Sequence, residues 1–159
     1  GGLTAATALL LVVAHPTYTS GRFAETDPFP ETFAWARHLE SSRIVVTGLL
    51  TQVKYPLFGD DRSNHVQYAG VVEDDGGFRP VASCAEWADL LRDGRYDYAL
   101  ITPPALTTDP PPEARWTEAL GGRLVREEQP VLDSDLLRGP IGVRVYELDP
   151  DAVVARSCP

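Results

Sequence analysis

Apolar residues recur along the chain at two spacings, which predict a domain that contains both helices and strands. Positions 33, 36 and 39 follow the spacing of one helix face, as do positions 87, 90 and 91. Short Val/Ile/Leu runs and alternating stretches between them are typical of strands. The pattern predicts helices at 31–41, between 83 and 94, and at 112–120, and strands at 43–50, 65–72, 96–102, 123–126 and 141–146.

The order of these elements predicts the α/β class. Helices that alternate with strands pack on both faces of a sheet, so we expect a three-layer Rossmann-like domain with a mixed, mostly parallel sheet. Ile141, Val143 and Val145 alternate with polar or small residues, which favours an antiparallel edge for the last strand.

The second helix has the clearest local signal. Ser83 and Glu86 have the spacing of a capping box, in which each side chain accepts a hydrogen bond from a backbone N–H at the helix start. Gly94 is placed to end the helix.

The amino-terminal segment contains no charged residue from Gly1 to Gly21, and Leu3–Ala14 is almost wholly apolar. We expect 1–15 to be the end of a transmembrane helix, because a complete span needs roughly 20 apolar residues. A buried strand and a signal-peptide remnant stay open as alternatives. The Pro/Thr/Ser/Gly-rich residues 16–30 are predicted to be a linker, and 31–159 the folded domain.

Composition narrows the class of protein. The chain has 159 residues and a net charge of −9, which fit one domain and oppose nucleic-acid binding, since that needs a basic surface. No methionine occurs, so we expect a fragment or a processed product.

Two cysteines, Cys84 and Cys158, leave three possibilities: free thiols, a disulfide, or part of a metal site. No metal-ligand spacing accompanies them. A free Cys84 at a helix start could be a nucleophile. The disulfide is favoured because it agrees with an extracytoplasmic domain behind a membrane span.

One segment has the residues of a binding site. Carboxylates, an amide, a guanidinium and aromatic rings are concentrated there, a combination suited to sugars. The candidate residues are Tyr55, Asp60, Asp61, Arg62, Asn64, His65 and Tyr68. A polar loop, with an Asp capping a turn and Arg62 paired locally, is the alternative. Asp60 and Asp61 as an acid/base pair are disfavoured, because adjacent side chains usually point apart.

The strong catalytic motifs, including GxSxG, GxGxxG and HExxH, do not occur in the sequence. We therefore predict no catalytic residue, metal or cofactor for this domain.

Several stretches together resemble the soluble C-terminal domain of bacterial, especially actinobacterial, multi-spanning membrane glycosyltransferases. These enzymes are related to protein O-mannosyltransferases and the lipid A aminoarabinose transferase. The stretches are Val46–Gly48, Tyr55–Tyr68, Gly77–Pro80, Cys84–Trp87 and Gly94–Tyr98.

The resemblance implies a domain at the cell membrane, on the extracytoplasmic side, that caps a membrane active site and helps to bind the acceptor. The family's catalytic Asp lies between early transmembrane helices, so no catalytic residue is carried onto this chain. Implied partners are the transmembrane domain of the same polypeptide and a glycan or lipid-linked sugar. A stand-alone secreted or membrane-anchored carbohydrate or cell-wall binding module, and a soluble α/β enzyme, are the alternatives.

Overall fold

The computed structural model describes residues 28–49, 55–133, 138–155 and 158. The helices within them are α1 (Pro30–Arg37), α2 (Cys84–Gly94), α3 (Pro112–Ala119) and α4 (Pro150–Ala155), with a 3-10 helix at Tyr55–Phe58. The strands are β1 (Arg43–Thr47), β2 (His65–Tyr68), β3 (Val71–Val72), β4 (Phe78–Arg79), β5 (Tyr98–Ile101), β6 (Arg123–Glu128), β7 (Val131–Asp133), β8 (Arg138–Pro140) and β9 (Val143–Glu147).

Five of these strands form a mixed sheet in the order β2-β1-β5-β9-β6. Strand β1 is parallel to β2 and β5, whereas β9 is antiparallel to β5 and β6, so the pairings are evenly divided rather than mostly parallel. The predicted position of the last strand is wrong, because β9 lies inside the sheet and the antiparallel edge strand is β6. Val143, Val145 and Tyr146 are buried, as expected for a strand covered on both faces.

Apolar residues pack against both faces of this sheet. Residues of α2, α3 and α4 join Val45 in one cluster, whereas α1 and the 3-10 helix join Ile44 and Val46 in another. Successive side chains of β1 therefore point to opposite faces, as the strand period requires. The α/β class is confirmed.

Helix α2 begins as the sequence predicts. Ser83 Oγ accepts a hydrogen bond from Glu86 N–H at 3.2 Å. The Glu86 carboxylate accepts from Ala82 N–H at 2.8 Å, one residue before the cap. The helix ends at Gly94, and Arg95 takes the left-handed conformation with φ 46°. The left-handed position that commonly ends a helix is thus Arg95 and not Gly94. Gly94 allows the Tyr96 ring to approach the helix, since a Cβ at Gly94 would lie 2.0 Å from Tyr96 Cε2.

Helix α1 is capped by a residue from the far end of the sheet. Its N-cap residue, Phe29, makes no side-chain capping bond. Glu128 of β6 supplies the acceptor, with Oε2 2.9 Å from Thr32 N and Oε1 3.4 Å from Glu31 N. A carboxylate at this position also interacts favourably with the helix dipole.

Cys84 and Cys158 form a disulfide, which is the favoured one of the three possibilities that the sequence left open. The bond joins the first residue of α2 to a residue 74 positions later. Cys158 packs against the cluster that contains Trp87. The bond therefore fastens the carboxyl-terminal tail to the domain, and it leaves no free thiol for a nucleophile or a metal site.

The predicted membrane segment 1–15 lies outside the described residues, as does the linker 16–30 up to residue 27. Phe29, near the end of that linker, is buried in the core at 1% exposure. Among residues 28–49, 55–133, 138–155 and 158, no helix combines the length and apolar character needed to cross a bilayer.

Candidate functional site

Asn64 is the most buried of the predicted binding residues, and its side chain forms hydrogen bonds within the fold. The residue is 4% exposed. Its Oδ1 accepts from Ser42 N–H at 3.0 Å, and its Nδ2 donates to Leu57 O at 3.0 Å. Asn64 therefore joins the 3-10 helix to the segment that precedes β1, and both ends of its amide are occupied.

Asp61 also acts within the turn. Its Oδ1 accepts from Ser63 N–H at 2.9 Å. Hydrogen bonds from the Ser63 backbone and side chain lower the pKa of this carboxyl group. A general acid at neutral pH needs a raised pKa, so the geometry matches the predicted turn cap rather than an acid.

The other candidate side chains of the segment are more exposed but do not converge. Tyr55 is 81% exposed at the start of the 3-10 helix. His65 and Tyr68 occupy the two ends of β2, three positions apart, and therefore point to opposite faces of the sheet. Tyr68 packs against Phe78, with ring centroids 5.7 Å apart.

Asp60 and Arg62 lie in the turn between Tyr55 and β2, with exposed side chains. The backbone N–H of Asp60 donates to Arg37 O at 2.9 Å, and Arg62 has φ 61°. No ion pair to Arg62 occurs in the described part of the chain, so its predicted local pairing is not observed there. Tyr55, Asp60 and Arg62 are left as exposed groups around a turn held by Asp61 and Asn64.

The residues at the carboxyl ends of β1 and β5 pack directly against each other. Ligands of α/β proteins often bind at this edge, where the strand order reverses direction. Here Thr102 Oγ1 donates to Thr47 O at 2.8 Å, and a Cβ at Gly48 would lie 2.0 Å from Thr102 O. The two strand ends are therefore packed together with no space for a ligand between these residues.

A groove of about 510 Å³ lies between α2 and β2. Tyr96 forms part of it, and its hydroxyl donates to Gln67 Oε1 at 2.7 Å. The Arg43 guanidinium lies 5.9 Å from the Tyr96 ring centroid, and its Nε donates to Gly94 O at 2.6 Å. The groove is lined by Arg43, Gln67, Gly70, Val71, Glu86, Asp89, Leu90, Asp93, Gly94 and Tyr96.

Three carboxylates of α2 give the groove its charge, and they differ in how they are paired. Glu86 accepts two hydrogen bonds from Arg79, at 2.7 and 3.0 Å, which together with Ala82 N–H lower its pKa to about 2. Asp89 pairs with Arg92 at 2.5 Å. Asp93 has no ion pair within the described residues, so it is the carboxylate most available to a cationic ligand.

This groove is not among the sites that the sequence predicts. Asp89 and Asp93 are four positions apart and therefore lie on one side of α2, which the helix prediction could have shown. The approach of α2 to Gln67 depends on the position of β2 at the sheet edge, for which no local pattern exists.

Comparison of the chain with protein-family models, with curated proteins and with solved structures found no match. The chemistry of the site therefore rests on its own geometry. No group of three or more His, Cys, Asp or Glu side chains suited to a metal ion occurs in the described ranges.

Proposed function

We propose that this chain supplies the extracytoplasmic domain of a membrane glycosyltransferase that uses a polyprenyl-phosphate-linked sugar donor. The domain caps the active site in the membrane and helps to bind the acceptor. Its partners are the transmembrane domain of the same polypeptide and a glycan or lipid-linked sugar. Catalytic residues and cofactors are assigned to the membrane part and not to this domain.

The Cys84–Cys158 disulfide is the observation that carries the proposal. Disulfides persist in oxidising compartments and are rare in the cytosol. The apolar, charge-free segment 1–15 ahead of the domain and the resemblance of its sequence to the membrane glycosyltransferases support the same location.

A Rossmann-like three-layer classification belongs to this proposal. Its support is the parallel pairing of β1 with β5, with α2 between β2 and β5 along the chain, and the apolar clusters on the two sheet faces. The internal antiparallel strand β9 departs from an all-parallel arrangement.

We assign sugar contact to the exposed groups of the turn. The ring of Tyr55 offers an apolar face for the C–H groups of a sugar, and Asp60 and Arg62 offer hydrogen-bonding groups. Asp61 and Asn64 hold the turn in place through their bonds to Ser63, Ser42 and Leu57.

A stand-alone carbohydrate-binding module is the second candidate. The 81% exposure of Tyr55 supports it, because an exposed ring can contact a sugar without any membrane part of the protein. The coding sequence upstream of Gly1 distinguishes the two: several apolar spans are expected for the glycosyltransferase, and a single anchor or signal for the module.

Sugar binding is tested by titrating the isotope-labelled chain with soluble oligosaccharides in NMR experiments. We expect shifts in residues 55–64, retention of binding in Tyr55→Phe and loss in Tyr55→Ala, with Val131→Ala as the exposed apolar control. No shift in this segment, in the isolated chain or in the full-length protein, would contradict sugar binding. Two reactive thiols in the denatured, unreduced protein would contradict the disulfide and the location inferred from it.

A further inference from the structure

Strand β2 is an edge of the five-stranded sheet, and within the described part of the chain only β1 pairs with it. The N–H groups of His65 and Ala69 donate toward β1, to Ser42 O and Val46 O, both at 2.8 Å. Successive backbone groups alternate in direction, so the N–H and C=O of Val66 and Tyr68 face outward. No described residue forms a backbone hydrogen bond with these outward groups.

The two edges of the sheet differ in their protection. Edge strands are usually guarded by charged side chains, bulges or covering elements, because an open edge pairs with other chains. Strand β6 has these features: it contains a register shift between Leu124 and Arg126, and Glu128 is bonded to α1. Strand β2 is short, but its sequence His-Val-Gln-Tyr contains neither proline nor lysine, its pairing with β1 has no register shift, and no described strand pairs with its outer side.

The side chains on the two faces of the sheet next to the β2 edge differ: one face has polar and acidic groups, and the other has aromatic rings. On the α2 side lie Gln67 and the carboxylates Asp89 and Asp93 of the groove. On the other side Tyr68 packs against Phe78, which is 52% exposed. Phe78 covers Gly70, where a Cβ would lie 2.0 Å from the ring.

We propose that the β2 edge binds an extended polypeptide segment that adds as a further strand, with basic side chains toward the groove and apolar side chains toward Tyr68 and Phe78. Side chains of a strand alternate between faces, so one segment of alternating basic and apolar residues meets both surfaces. The inference rests on the sheet edge and is independent of sugar transfer.

Charge distinguishes such a partner from a second copy of the chain. Two of the three groove carboxylates are paired with arginines, Glu86 with Arg79 and Asp89 with Arg92, which leaves Asp93 without an ion pair among the described residues. The whole chain has a net charge of −9. Like charges oppose pairing of two copies through this edge, whereas a basic segment is attracted to it.

The test uses the 159-residue chain and two capped peptides of about seven residues, one alternating Lys and Val and the other Glu and Val. We expect the Lys/Val peptide to shift the amide signals of Val66 and Tyr68 and to protect them from hydrogen exchange. Salt should weaken this binding because the pairs are near the surface.

Two variants with a matched control complete the test. Val66→Pro removes an outward N–H and should abolish binding. Asp93→Lys should weaken binding of the Lys/Val peptide about threefold, and it is compatible with the fold, since a cation is favourable in the last turn of α2. Asp109→Lys makes the same charge change in the exposed loop before α3 and should leave binding unchanged.

Three results would overturn the proposal. They are the absence of shifts at Val66 and Tyr68, equal binding of the Glu/Val peptide, and a dimer in sedimentation experiments that Val66→Pro converts to monomer. The last result would assign the edge to a second copy.

Discussion

Replacing Asn64 tests whether this residue supports the fold or binds a ligand. Asn64→Ala removes the bonds to Ser42 N–H and Leu57 O, both 3.0 Å long, at a site that is 4% exposed. Each bond contributes about 0.5–1.5 kcal/mol, and a buried group left without a partner costs about 1–3 kcal/mol. We therefore expect the free energy of unfolding to fall by about 2–4 kcal/mol, measured by urea denaturation with tryptophan fluorescence.

His65→Ala is the matched control for this measurement, because the neighbouring side chain is exposed. Its effect should stay within about 0.5 kcal/mol, as for most surface substitutions. A loss below about 0.5 kcal/mol for Asn64→Ala, together with impaired oligosaccharide binding, would refute the structural role. It would return Asn64 to the binding residues.

Three further predictions concern α2 and the tail. Removing the disulfide in the double variant Cys84→Ser, Cys158→Ser should lower the free energy of unfolding in urea by up to about 4 kcal/mol, because the bond closes a long loop; unchanged stability would contradict this. The pKa of Glu86 is lowered from 4.5 to about 2, so its contribution is complete above pH 4.5 and is lost as the pH falls toward 2. Urea midpoints should therefore fall less over this range in Glu86→Gln than in the unaltered protein, and equal falls would assign the acid sensitivity elsewhere. Gly94→Ala should lower the thermal midpoint despite the better helix propensity of alanine, since the new Cβ would meet Tyr96 at 2.0 Å; a higher midpoint would show that the ring moves freely.

Local signals predicted some elements of the fold well. Helix α2 is predicted because Ser83 and Glu86 act within one turn, and α3 begins at Pro112, as the predicted range 112–120 has it. The internal position of β9 was missed, because it depends on pairing with β5 and β6, which lie elsewhere in the chain. Strands β7 and β8 have three residues each, too few to show an alternating pattern, and neither they nor the six-residue helix α4 were predicted.

The candidate site also depends on contacts between distant parts of the chain, which local sequence signals do not show. Asp and Asn in a turn have the same sequence signature whether they bond to the backbone or to a ligand. Only the folded positions of Ser42 and Leu57 show that the amide of Asn64 is already occupied. The open edge of β2 could not be predicted either, because whether a strand is central or at an edge is a property of the whole sheet.

The capping of α1 by Glu128 has a consequence for the order of events during synthesis. The helix has eight residues, too few to be stable alone in water. Its cap comes from a residue 96 positions after Thr32, so the ribosome must deliver β6 before the start of the helix acquires its acceptor. Although α1 leaves the ribosome before every described strand, it should be among the later elements to become stable.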